Sequence, residues 1–186
     1  MAYTLFDRFV ARRRFRAAAP HIRVRSVVCD LGCGVGAPFL KYIESRLLSG
    51  VGLDEHIGQS PRDNISIVRA DITGSLPFES AQFDHVTMLA VLEHLIQPSR
   101  VLAEAYRILR PHGSLIMTWP SPVVDPILEI LTRLRLVNND LGFDQHQPRI
   151  PMEKIKEMLR DIGFARFEDG RFEMGLNNWL VAHKGP

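Results

Sequence analysis

The fold expected of this 186-residue chain is a three-layer α/β domain whose mostly parallel sheet ends in an antiparallel C-terminal hairpin. Three observations predict it. Short β-branched runs alternate with helically periodic stretches as far as residue 162, the rhythm of parallel strands with helices on both faces. Three glycines, Gly32, Gly34 and Gly36, follow the first of those runs and lead into a helical stretch. Beyond residue 163 two β-like runs succeed one another with no helix between them, so they must pair antiparallel.

In chain order, Leu5, Phe6, Phe9 and Val10 recur at helical spacing with arginines between them, so residues 4–17 read as an amphipathic helix that stops before Pro20. Strands are expected at 24–30, 50–54, 65–70, 83–89 and 114–119, where β-branched residues cluster. Helical periodicity predicts helices at 37–48, 99–109, 123–136 and 151–162. Runs 164–168 and 178–183 form the hairpin, with Gly170 and Gly175 among its turn-forming residues. Residues 137–150 are the one long connection expected to lack regular structure, and such connections are often functional. With no internal repeat, low-complexity tract or Ser/Gly linker, one domain is expected over residues 1–186, with a basic helix in 1–20 and the core in 24–184.

Composition narrows the class. At 46% hydrophobic and 24% charged residues the chain has the balance of a globular protein that buries its own core, not of a disordered or fibrous one. No apolar run approaches the roughly 20 residues that span a bilayer. Two cysteines form neither a disulfide framework nor a zinc pattern, so a reducing, cytoplasmic setting is expected and no metal. Arginines fall where a secretory signal would need apolar residues. Residues 1–25 carry seven arginines against Asp7, a net of +6, and the remaining 161 residues sum to −4. Nucleic acid is therefore not expected as the main ligand, because the body of the protein is mildly acidic.

The run Ser26-Val-Val-Cys-Asp-Leu-Gly-Cys-Gly-Val-Gly36 ends a strand in a glycine loop, where backbone can approach a ligand closely and the following helix offers N–H groups. Two readings are open at this point. Gly32-x-Gly34-x-x-Ala37 satisfies the dinucleotide fingerprint, and Asp54 lies twenty residues after Gly34 where that motif wants an acid. Asp30 tilts the choice. A carboxylate beside a pyrophosphate costs about 3 kcal/mol per like-charge contact at ~5 Å and an effective dielectric of ~20. A cationic ligand such as S-adenosylmethionine, with a sulfonium and an ammonium and no phosphate, removes that objection, and its ribose hydroxyls can donate to Asp54.

The ordered motifs Asp30-Leu-Gly-Cys-Gly-Val-Gly36, Gly50-Val-Gly-Leu-Asp54, Ala70-Asp71-Ile72, Phe83-Asp84 with Val91-Leu-Glu-His-Leu95, and Leu109-Arg-Pro-His-Gly113 before a strand resemble those of class I S-adenosylmethionine-dependent methyltransferases over residues 24–184. The likeness is closest to the small-molecule branch that includes quinone, lipid and sugar methyltransferases. It implies a Rossmann-like sheet of seven strands with the last one antiparallel. It also implies that Asp30, Gly32, Cys33, Gly34 and Gly36 hold the methionine end of the cofactor, Asp54 the ribose, and Asp71 with Ile72 the adenine, while Leu89 passes the methionine part through its backbone. One departure stands out. Asp71 lies only 17 positions after Asp54, and His56-Ile-Gly-Gln-Ser-Pro-Arg-Asp-Asn64 lacks a helical pattern, so the helix usual there is expected to be lost or reduced to a turn and one wall of the pocket to be open or borrowed from the basic N-terminal helix.

The acceptor side is less determined. His94 and Glu93 follow the fourth strand, and His146 lies in the long connection at a place where the resemblance puts a substrate-facing histidine, so His146 and His94 are the candidate general bases. Cys29 and Cys33 read as small buried groups and not as nucleophiles. Trp119 is expected to shape the substrate entrance or to be a core aromatic, and Asn177, Asn178 and Trp179 to define the hairpin. The expected activity is methyl transfer to a small-molecule, lipid or sugar-like acceptor by in-line displacement, with peripheral membrane contact through the basic helix. A nicotinamide-dependent oxidoreductase and a non-catalytic cofactor-binding subunit remain as rivals.

Overall fold

The computed structural model describes residues 5–56, 63–122 and 150–186. The expected helix at 123–136, the connection up to residue 149 and His146 lie outside these residues, as does the middle of the segment between Asp54 and Asp71.

Seven strands form one sheet: β1 (Ser26–Leu31), β2 (Leu47–Asp54), β3 (Ile65–Arg69), β4 (Phe83–Leu89), β5 (Leu109–Pro120), β6 (Phe164–Phe172) and β7 (Asn177–Lys184). Their order is β3-β2-β1-β4-β5-β7-β6, parallel except where β7 pairs antiparallel with β5 and with β6. Because side chains alternate along a strand, each strand feeds two cores. On one face, Cys29, Leu31, Met88, Leu115, Met117, Trp119 and Leu180 pack under helices α3 (Pro98–Ile108) and α4 (Met152–Ile162). On the other, Val28, Ile116 and Val181 pack under α1 (Leu5–Ala18) and α2 (Pro38–Tyr42). α4 stops at Gly163, whose N–H caps Leu159 and Arg160 in the left-handed region.

Several expected boundaries shift. The helix expected at 37–48 is five residues long, followed by a 3₁₀ turn (Glu44–Arg46), and Leu47 and Leu48 open β2. There Leu48 is exposed and Leu47 half-buried, the period of a strand, because β2 begins pairing at Ser26. β5 starts five residues early, carried around Arg110 to Gly113 by a bulge between Phe83 and His85. Gly170 is inside β6, not in the turn: a side chain there would meet Trp179 at 2.6 Å. The turn is made by Glu173, Met174 and Gly175, all at positive φ. In α1 the packed residues are Phe15, against Phe39 and Tyr42, and Ala18; Phe9, one of the four residues of the expected apolar stripe, is 61% exposed.

Candidate functional site

The glycine loop joins the carboxyl end of β1 to α2. Gly32 has φ +71°, and a Cβ on it would come within 2.5 Å of a Val91 methyl, so the segment after β4 closes down on bare backbone. Cys33 turns inward. Its thiol sits over Gly52, where a Cβ would meet Sγ at 2.6 Å, and it donates to the Gly34 carbonyl at 3.4 Å. The Cys33 side chain therefore fills the hollow above β2, as a small buried group of the loop. Both cysteines are buried thiols pushed up by desolvation and by Asp30.

The loop's N–H groups are largely spent. Gly32 and Cys33 both donate to the Leu53 carbonyl, at 2.8 and 3.0 Å, and Gly34 donates to Asp54 Oδ2 at 2.9 Å. Pro38 at the first position of α2 has no N–H at all. The helix start thus presents fewer donors than the sequence pattern suggested. Asp54 uses its other oxygen to accept from the His56 N–H at 2.9 Å, so this carboxylate ties the loop to the end of β2.

Asp30 lies beside it. It points to the α2 face between Gly52 and Thr87 of the neighbouring strands, is 2% exposed, and accepts from the Thr87 hydroxyl at 2.5 Å. Burial is the main cause that pushes its pKa up to about 7; the Thr87 hydrogen bond opposes this and the Asp54 charge adds to it. Two carboxylates thus share one end of the sheet, and among the described residues no lysine or arginine pairs with either; the imidazole of His56 lies 3.9 Å from Asp54. Thr87 escaped the sequence reading, although a hydroxyl alternating with His85 inside Phe83-Asp-His-Val-Thr-Met-Leu89 was the available signal. Ala90, at φ +59° with its N–H on the Thr118 carbonyl, also escaped it, and no local pattern marks it; Val91 was legible as the first residue of the Val91-Leu-Glu-His-Leu95 motif but not in its contact with Gly32.

The other expected residues divide. Leu89 ends β4 and packs toward the α1/α2 face, near the loop. Asp71 is exposed, and its Oδ1 accepts both the N–H and the hydroxyl of Thr73 in a tight turn, which holds its carboxyl below the usual range. Ile72 packs against the α3/α4 core. Glu93 is buried in the 3₁₀ turn Leu92–His94, whereas His94 is exposed, and partial desolvation together with the Arg14 guanidinium of α1 lowers its pKa. α1 also reaches Glu173 through Arg13, at 3.8 Å, so the basic helix does flank this end of the sheet. Trp119 does not shape an entrance: it is 1% exposed in the α3/α4 core, with its N–H on the Ile150 carbonyl. Among the described residues no three His, Cys, Asp or Glu side chains form a metal-binding group.

A family described as "Methyltransferase domain" matches residues 29–117. An uncharacterized 37.1 kDa protein of transposon TN4556 from Streptomyces fradiae is 35% identical over 114 residues, which cover 54% of this chain and 33% of that protein. A demethylmenaquinone methyltransferase from Clavibacter sepedonicus is 27% identical over 66% of this chain and 55% of its own length. The chain thus spans a third to about half of these two relatives. The crystal structure of an S-adenosylmethionine-dependent methyltransferase from Mesorhizobium loti has the same fold, with a TM-score of 0.71 at 18% identity over 91% of this chain and 95% of that one.

Proposed function

We propose that the chain is a class I S-adenosylmethionine-dependent methyltransferase and that it transfers the methyl group of S-adenosylmethionine to a small-molecule acceptor. One observation carries the cofactor assignment: Asp30 and Asp54 crowd a glycine loop whose N–H groups at 32, 33 and 34 are already donated within the protein. Such a site repels a pyrophosphate and attracts a cation. The residues present therefore fit a sulfonium and an ammonium, and the dinucleotide reading loses the donors it needs.

When bound, S-adenosylmethionine supplies an already activated methyl group on its sulfonium. The protein's share is alignment and exclusion of water. In this reading Asp30, held by Thr87, faces the methionine ammonium through the loop; Gly32, Gly34 and Gly36 let the ligand lie against backbone; Leu89 borders the methionine part. Asp54 accepts from the ribose with lone pairs left over from Gly34 and His56, since each carboxylate oxygen can accept twice. Asp71 and Ile72 border the adenine at the end of β3, with Asp71 using the oxygen not engaged by Thr73. Arg14 and its neighbours on α1 supply a wall on the side where the Asp54–Asp71 segment is short.

Calorimetric titration with S-adenosylmethionine and with NAD tests the assignment. Saturable binding of the first alone is expected; binding of NAD, or of neither, defeats it. The acceptor is proposed to be a lipid- or quinone-like molecule, supported by the printed activity of the Clavibacter relative and by the net +6 of residues 1–25. Turnover against a panel of such acceptors separates an enzyme from a non-catalytic cofactor-binding subunit. His146 and His94 remain the proposed bases for a hydroxyl acceptor. A rate falling on the acid side near the ordinary imidazole value of roughly 6.5, lost in His146→Ala, identifies the former. A fall at lower pH, lost in His94→Ala, identifies the latter, and a flat profile means that alignment alone suffices.

A further inference from the structure

Four of the seven histidines gather at the opposite end of the sheet, where the methyl-transfer reading gives them no task. Register explains how. His85 of β4, Ser114 of β5, His183 of β7 and Arg166 of β6 are successive partners across four strands, so their side chains share one face. His21 and Arg23, from the chain between α1 and β1, roof this row, and His112 borders it, around a cavity of about 450 Å³.

The floor has no hydrolytic chemistry. The Arg23 N–H donates to His85 Nε2 at 3.1 Å, so the ring proton sits on Nδ1 and is donated to Ser114 Oγ at 2.7 Å. His85 cannot then deprotonate the serine. Burial pushes its pKa down to about 4, so it stays neutral. Ser114, accepting from His85, keeps its own O–H to donate. A metal is disfavoured too, because these imidazoles do not converge into a ligand group.

What the cavity presents is donors with charge. The Arg23 side chain is 59% exposed, and among the described residues its ion pair is a 4.0 Å contact with Asp84, whose oxygens already accept from Val27 and Arg110 at 2.8 and 2.9 Å. Arg166 and His183 share a single carboxylate, Glu168, at 3.2 and 2.9 Å. The His21 ring stacks on Trp179 at 4.7 Å, and among the described residues its ring nitrogens make no hydrogen bond and neither does the ring of His112, whose backbone N–H donates to the Gly185 carbonyl at 3.2 Å. Donors converging from several strands suit a tetrahedral acceptor better than a planar carboxylate, which two parallel N–H groups satisfy.

We propose that this cavity, at the amino ends of the parallel strands and about 20 Å of strand away from the glycine loop, is a second ligand site that binds a phosphate-class dianion, as free phosphate or as a small phosphate monoester. The full-length protein titrated with inorganic phosphate, and followed by the ring Cε1–H signals of its histidines, tests this. Saturable shifts of His21, His112 and His183 with one dissociation constant of about 1 mM or below are expected, with none from chloride at equal ionic strength. Arg23→Gln and Arg166→Gln, whose side chains are mostly exposed, should each weaken binding about tenfold or more while thermal unfolding and S-adenosylmethionine affinity stay unchanged. Glycerol phosphate as a second titrant tells the sources apart: shifts at the same rings assign the site to monoesters, and their absence, with phosphate still saturating, assigns it to free phosphate. Shifts that grow linearly with phosphate, or saturation that survives both substitutions, overturn the proposal.

Discussion

Asp30 and Asp84 sit near opposite ends of adjacent strands, β1 and β4, and the protein treats the same side chain in opposite ways. At the amino end, burial acts to raise the Asp84 pKa, but the Val27 N–H, Arg110 and Arg23 outweigh it and hold the carboxyl below its usual range. At the carboxyl end, Asp30 has the Thr87 hydroxyl and the neighbouring charge of Asp54, and burial pushes it up to about 7. One end is neutralised by the chain's own arginines. The other keeps an electrostatic deficit that an external cation would relieve, which is how a ligand end differs from a structural end even when both carry an aspartate.

The contrast breaks most severely at Gly32. Gly32→Ala forces a Cβ into the left-handed region and against Val91, so a stability loss of about 2–4 kcal/mol is expected from backbone strain and overpacking together. Urea unfolding measures it, and Val91→Ala in the same chain should restore part. A loss under about 0.5 kcal/mol would mean that the segment after β4 yields freely and does not clamp the loop.

Asp54→Ala is next, with about 1.5–3 kcal/mol of S-adenosylmethionine affinity lost, since it removes both the proposed ribose acceptor and the anchor of Gly34. Calorimetry decides it; an unchanged dissociation constant excludes Asp54 from the site.

The two aspartates also predict opposite pH dependences. Asp30, raised from 3.8 to about 7, contributes stability that is full below about pH 4 and is lost as the pH rises toward 7. A cation bound beside it reverses this, so S-adenosylmethionine should bind more tightly as the pH rises through 7, with proton release visible in buffers of different ionisation enthalpy. Asp30→Asn should abolish that release, and its persistence would assign the proton elsewhere. Asp84, lowered, contributes stability above its unfolded pKa of 3.8 that is lost as the pH falls. Asp84→Asn should cost about 1–2 kcal/mol at pH 7 and leave cofactor affinity untouched.

The smallest effect concerns α1. Arg12 and Arg16 are exposed, so Arg12→Gln with Arg16→Gln should leave stability within about 0.5 kcal/mol. If the basic helix makes the peripheral membrane contact expected from its charge, the pair should lower partitioning onto anionic vesicles by about 1 kcal/mol per arginine at low salt. Partitioning that ignores both the substitutions and the salt removes the electrostatic contact.

Apolar periodicity and glycine spacing are local properties, and they determined which segments became strands, that the last two strands pair antiparallel, and that Asp30, Gly32, Gly34 and Asp54 share one end of the sheet. Leu47 and Leu48 show the limit, because an apolar pair fits a helix end or a strand start until β1 pairs with it. What tertiary structure alone decided depends on neighbours far along the chain. Thr87 reaches Asp30 from 57 residues away, and the Val27 N–H reaches Asp84 across the same interval. Leu53 absorbs two loop N–H groups, Trp119 turns to the far core, and four histidines from four separate segments meet at one cavity. Proton affinity follows from burial and from the charges within a few ångströms, and both are set only when the strands assemble.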